Sequence, residues 1–144
     1  MPIHFFQEDI DFIPENAESL QHWIIQITTD HHYSIKNLNY IFCSDQHLLN
    51  INKKYLNHEH FTDIITFDNS TENKVIESDI FISIDRVKDN SNVFKTTFEE
   101  ELYRVMIHGL LHLIGYDDGN HLDKKRMKKK EDVCLSLLSI QGST

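Results

Sequence analysis

His108-Gly-Leu-Leu-His112-Leu-Ile-Gly115-Tyr-Asp-Asp118 decides how the rest of this chain reads. Two histidines four residues apart lie in a strongly apolar run, so on a helix both imidazoles leave from one face. The flanking Val105-Met-Ile107 and Leu110-Leu111 leave them among the few polar groups of that helix. Burying two imidazoles is costly unless each finds a partner, and one shared transition metal partners both. Gly115 is the residue type that ends a helix in a left-handed conformation. Asp118 follows as the chain turns.

A ligand, a second at +4, a glycine at +7 and a third ligand at +10 is the spacing of metzincin-type zinc sites. The HExxH metalloproteases place their general base directly after the first histidine. Here that position is Gly109, so peptide hydrolysis by that route is not expected. The third ligand stays open between Asp118, which has the spacing, and His121, which offers an imidazole three residues later; Asp117 trails both. A carboxylate ligand would leave a zinc centre less positive, and its water less acidic, than three histidines do.

Around this helix the pattern alternates between strand and helix. Ile3–Gln7 reads as a short strand, and Pro14 opens a helix through about Thr28, with Leu20, Trp23, Ile24 and Ile27 as its stripe. Leu38–Cys43 reads as a strand, and Ser44 or Asp45 caps a helix that buries Leu48, Leu49, Ile51 and Tyr55. Thr62–Phe67 and Asp79–Ile84 are β-rich runs joined by the polar loop Asp68–Lys74. Asp85–Asn92 reads as a helical turn, and Thr97 with Glu100 forms a capping box for the histidine helix. From Leu122 the chain is helical again, with Met127, Val133, Leu137 and Leu138 inward. The order βαβαββαα predicts one α+β domain over residues 1–144: a small mixed sheet of about four strands packed with helices, with the metal site at the end of the long buried helix.

The 144 residues suffice for a core without a metal or disulfide to hold it. No apolar run reaches membrane-span length, and MPIHFFQEDI has no signal-peptide pattern. Cys43 and Cys134 therefore read as free buried thiols, and a cytoplasmic location is expected. The net charge of −9 hides an asymmetry: six of fourteen basic residues lie in Lys124–Lys130, and residues 1–123 carry −13. Non-specific attraction to nucleic acid is thereby disfavoured over most of the surface, and DNA is not an expected partner. Any polyanion must be met by a local patch, for which the lysine run is the candidate.

His-Gly-Leu-Leu-His-Leu-Ile-Gly-Tyr-Asp resembles the signature of the YbeY family, metal-dependent endoribonucleases of ribosomal RNA maturation. Leu49–Tyr55 followed by Thr62-Asp-Ile-Ile-Thr-Phe67, and then Ser78-Asp-Ile-Phe-Ile-Ser83, resemble that family's upstream segments, so the likeness runs from about residue 40 to 135. It implies one zinc ion per chain, or another divalent transition metal, held by three side chains at a cleft between the long helix and the sheet. It also implies single-stranded RNA as substrate, with roles in small-subunit RNA processing and ribosome quality control. Two positions depart from the pattern: the family usually has histidine where Asp118 stands, and an arginine where Leu56 follows Tyr55. His58 and His60, just beyond, offer replacement donors, which Asp63 can orient or, alternatively, cap the next strand. Arg104, one turn before His108, pairs with Glu101 or contacts phosphate. The expected catalytic set is therefore His58, His60 and Arg104, with His108, His112, Asp118 and His121 as candidate metal ligands. Two other readings compete: a non-catalytic ribosome-assembly factor whose zinc is closed by both Asp118 and His121, and a non-haem iron enzyme using a facial triad.

Overall fold

The computed structural model describes residues 1–142. Its elements are β1 (Ile3–Gln7), α1 (Ala17–Asp30), β2 (Ser34–Cys43), α2 (Asp45–Leu56), β3 (Ile64–Asp68), β4 (Val75–Ser83), α3 (Ile84–Phe94), α4 (Phe98–Ile114) and α5 (His121–Gly142). The four strands form one mixed sheet in the order β1-β2-β4-β3. β1 and β2, and β2 and β4, pair in parallel, and β3 runs antiparallel to β4 as the outer arm of a hairpin. This is the expected α+β arrangement, with one helix more: the run after Asp85 is an eleven-residue helix rather than a turn. Ser83 explains its start, because its hydroxyl accepts from the Arg86 N–H.

Strand alternation sorts the sheet into two faces. Ile80 and Ile82 of β4, with Leu38, Tyr40 and Phe42 of β2, pack against α1, α4 and α5 in the main core, around a fully buried Trp23. Ile65 and Phe67 of β3 turn the other way, to a smaller cluster with Leu48 and Ile51 of α2. The two large polar aromatics of the main core are satisfied: Tyr40 donates its hydroxyl to the Met106 carbonyl (3.0 Å) and Trp23 its indole N–H to the Cys134 carbonyl (2.8 Å). Cys43 and Cys134 are free and buried, and burial, assisted by nearby acids, pushes the Cys43 thiol up to about 12. No helix among the described residues is long and apolar enough to cross a membrane.

α5 faces the core differently from the expected register. Met127, Glu131, Cys134 and Leu138 are its buried positions among the described residues, while Val133 is 52% exposed. The inward stripe thus contains an acid, and that acid belongs to the site.

Candidate metal centre

α4 is the scaffold of the site. Thr97 caps it by accepting from the Glu100 N–H (3.1 Å), and its apolar face, Leu102, Val105, Met106, Leu110 and Leu111, is pressed into the core. Gly109 lies where the helix packs closely on the sheet: a Cβ there would stand 2.9 Å from Ile64 Cδ1 and 3.2 Å from Ile80 Cδ1. With the helix seated in this way, His108 and His112 stay half-buried at its accessible edge.

The helix ends at Gly115, at φ 115°, and its N–H bonds back to the His112 and Leu111 carbonyls. Tyr116 N–H also returns to the Leu111 carbonyl, and the Tyr116 hydroxyl lies 3.2 Å from His31 Nε2, tying the loop to the end of α1. The reversal brings Asp118 over the two imidazoles. Asp118 Oδ2 lies 3.3 Å from His108 Nε2 and 3.4 Å from His112 Nε2, and the two Nε2 atoms are 3.0 Å apart. Metal–ligand bonds of about 2.0–2.1 Å at the tetrahedral angle place ligand atoms about 3.3 Å apart, and about 3.0 Å at right angles. The three donors are therefore spaced as one face of a coordination polyhedron would need, and they are the group among the described residues that could hold an ion. Two imidazole nitrogens and a carboxylate oxygen suit zinc and its first-row neighbours alike. His121 opens α5, is exposed, and stands outside this group.

Beneath the ligands lies a layer of acids and one arginine. His108 Nδ1 is 2.6 Å from Glu131 Oε2, and Arg104 Nη1 donates to the other oxygen, Glu131 Oε1 (2.9 Å). Arg104 Nη2 donates to Asp132 Oδ1 (2.6 Å). Arg104 is thus engaged with α5 rather than with Glu101, the partner its spacing suggested, because α5 supplies two adjacent acids at shorter range. Burial opposes a charge on His108, but the hydrogen bond and charge of Glu131, with Asp118 and Asp63, outweigh it and raise the imidazole pKa. Burial pushes the Glu101 carboxyl up to about 7, Asp63 and Glu131 adding to it and Arg104 opposing. Burial also raises Asp63, against the opposing charges of His108 and Arg86.

A cavity of about 600 Å³ opens onto this layer, lined by His108, Asp118, Glu101, Arg104, Lys124 and Lys128 among others. Two lysines of the basic run thus share this cavity with His108 and Asp118. His58 and His60 do not line it; they stack on each other, centroids 5.3 Å apart, in an exposed loop held by the Asn52 amide on the His60 carbonyl. Leu56 is 41% exposed. Glu131 was not singled out by the sequence reading; its signal is an acid at i+4 from Met127 on an otherwise apolar stripe.

A sequence profile described as Endoribonuclease YbeY matches residues 3–139. The Endoribonuclease YbeY of Cytophaga hutchinsonii is 50% identical over 135 residues, 94% of either chain. That of Karelsulcia muelleri is 54% identical over 116 residues, covering 81% of this chain and 82% of the relative. The solution structure of a Thermotoga maritima protein superposes with a TM-score of 0.68 at 26% identity, covering 94% of this chain and 88% of that one.

Proposed function

Because this chain belongs to the YbeY family of endoribonucleases, we propose that it is a metal-dependent, single-strand-specific endoribonuclease acting in small-subunit ribosomal RNA maturation and ribosome quality control. The observation that carries the metal dependence is the triangle of His108 Nε2, His112 Nε2 and Asp118 Oδ2, with edges of 3.0, 3.3 and 3.4 Å. Three protein donors leave a coordination position for water or substrate, the arrangement of catalytic rather than structural zinc sites. That His121 lies outside the triangle supports an open site over a closed, purely structural one with four protein ligands.

When bound, a divalent ion supplies Lewis-acid polarisation of a phosphodiester and a lowered pKa for water. The chain's own residues do the rest. Lys124 and Lys128 on the cavity wall attract the phosphate backbone and hold it beside Asp118. Glu101, poised near 7, is suited to take up and release a proton at its carboxyl oxygen. The core beneath α4 keeps the imidazoles fixed, so their orientation need not be assembled when RNA arrives.

The test is elemental analysis of the purified protein without added metal, followed by cleavage of single-stranded RNA with and without chelator. About one equivalent of zinc or another first-row divalent metal is expected, with chelator-sensitive cleavage that His112→Ala abolishes without unfolding the protein. Asp118→Ala should release the metal and His121→Ala retain it. Cleavage that survives both chelator and His112→Ala, with contaminating nuclease removed, sinks the assignment.

A further inference from the structure

We infer that Glu131, clamped by Arg104, is a positioning residue that fixes the tautomer of His108. The inference rests on His108, His112 and Asp118 being a metal site, and goes beyond it by assigning the group that prepares the site before an ion arrives.

Glu131 is 6% exposed and sits on the apolar stripe of α5, between Met127 and Cys134. A carboxylate is retained in such a place only if its oxygens are satisfied. Both are, by donors from one face of α4: Arg104 Nη1 on Oε1 and, one turn on, His108 Nδ1 on Oε2. An ionised carboxylate only accepts, so the neutral imidazole must carry its proton on Nδ1. Nε2 is then left with a free lone pair, and Nε2 is the atom facing His112 and Asp118. Histidine ligands are generally oriented through their other ring nitrogen, and loss of that partner costs metal affinity. A plain clasp between the helices explains Arg104 on the exposed Asp132; it does not explain why the buried acid is shared with the ring nitrogen opposite the ligand atom.

The role of Arg104 follows from the same inventory. A guanidinium has no acceptor, so if Glu131 is replaced by glutamine, the amide oxygen must turn to Arg104 and the amide NH₂ to His108. Nδ1 is then forced to accept, the proton moves to Nε2, and the ligand atom is blocked. Glu131→Gln is therefore expected to be a worse lesion for metal binding than its near-identical shape suggests, and Arg104→Met in the same chain should partly rescue it by freeing the amide oxygen to face His108.

The experiment reads the imidazole ¹⁵N shifts of His108 in the metal-free full chain at alkaline pH, and zinc affinity by competition with a chromophoric chelator. The expected result is Nδ1–H in the wild type, Nε2–H in Glu131→Gln, zinc affinity lower by about 10–100-fold, and partial recovery of both in Arg104→Met/Glu131→Gln. Wild-type His108 protonated on Nε2 overturns the inference, and that measurement needs no variant to fold. Equal zinc affinity in the wild type and Glu131→Gln, or a double variant weaker than the single, also overturns it and makes Glu131 a structural clasp. A wild type that binds no zinc while His108 carries its proton on Nδ1 strikes the metal-site reading instead, and leaves the tautomer assignment standing.

Discussion

Replacing Gly109 with alanine sets two opposed effects against each other at the point where the site meets the core. Alanine gains helix propensity of about 1 kcal/mol over glycine in a helix interior. Its Cβ, however, would stand 2.9 Å from Ile64 Cδ1, 3.2 Å from Ile80 Cδ1 and 3.3 Å from Thr66 Oγ1. Carbon atoms pack at about 3.5–4.0 Å, so the Ile64 methyl must retreat by more than half an ångström or α4 must lift from the sheet. Overpacking of this kind typically costs about 1–3 kcal/mol. Because the crowded atom is the far end of an isoleucine side chain, the balance lies between about zero, where that side chain turns away, and a net loss of about 2 kcal/mol. The assay is urea denaturation of wild type, Gly109→Ala, Ile64→Val and the double variant, all metal-free. Ile64 is only half-buried, so Ile64→Val alone should cost no more than about 0.5–1.5 kcal/mol, the range for a buried methyl. In the double variant the missing methyl leaves room for the new Cβ, so the two losses should be less than additive by about 1 kcal/mol. A Gly109→Ala protein more stable than wild type by the full propensity gain, with no coupling to Ile64, refutes the close approach. It would also remove the steric reason why the position after His108 carries no side chain.

Glu101→Gln should alter the pH dependence of stability in metal-free protein. With its folded pKa raised to about 7 from the usual 4.5, Glu101 binds more proton folded than unfolded, so its contribution is lost as pH rises between those values; glutamine stays neutral, and a stability difference between the two proteins unchanged from pH 4 to pH 8 would contradict the burial argument. Lys124→Ala/Lys128→Ala should flatten the salt dependence of single-stranded RNA binding, by about 1.4 in the log–log slope if each lysine meets one phosphate. A wild-type slope in that variant would place the RNA elsewhere.

The fold was legible wherever a local signal had a single physical meaning. Thr97 and Gly115 bounded α4, the polar run Asp68–Lys74 marked the hairpin, and the β-rich runs gave β3 and the second half of β4, which begins at Val75 rather than Asp79. Errors arose where burial rather than pattern decided. α3 carries so few apolar residues, with only Ile84, Val87 and Ser91 buried, that its sequence resembles a turn. α5 is lysine-rich on several sides, so its apolar pattern points to Val133, which the structure leaves exposed. The site was legible as ligand spacing, because four residues on a helix and a glycine reversal fix geometry locally. Its supporting acids were not, because Glu131 meets His108 across a contact between two helices, 23 residues apart in the chain.

That contact also bears on Leu56, where the family resemblance leads one to expect an arginine. RNA chemistry at this site needs positive charge facing phosphate beyond the ion itself, and the chain's cations are unequally free to provide it. Arg104 is spent on Glu131 and Asp132, and Arg86 on Asp45 at 2.7 Å and Asp89 at 3.7 Å. His58 and His60 lie outside the cavity. Lys124 and Lys128 line it, one helical turn apart, and neither forms an ion pair among the described residues. Glu131 continues the same face of α5 at the next turn. One helix therefore lines the cavity with two unpaired cations and, at the next turn, with the carboxylate bonded to His108. In an otherwise acidic chain this concentrates the attraction for a polyanion at the one place where the proposed chemistry can act on it.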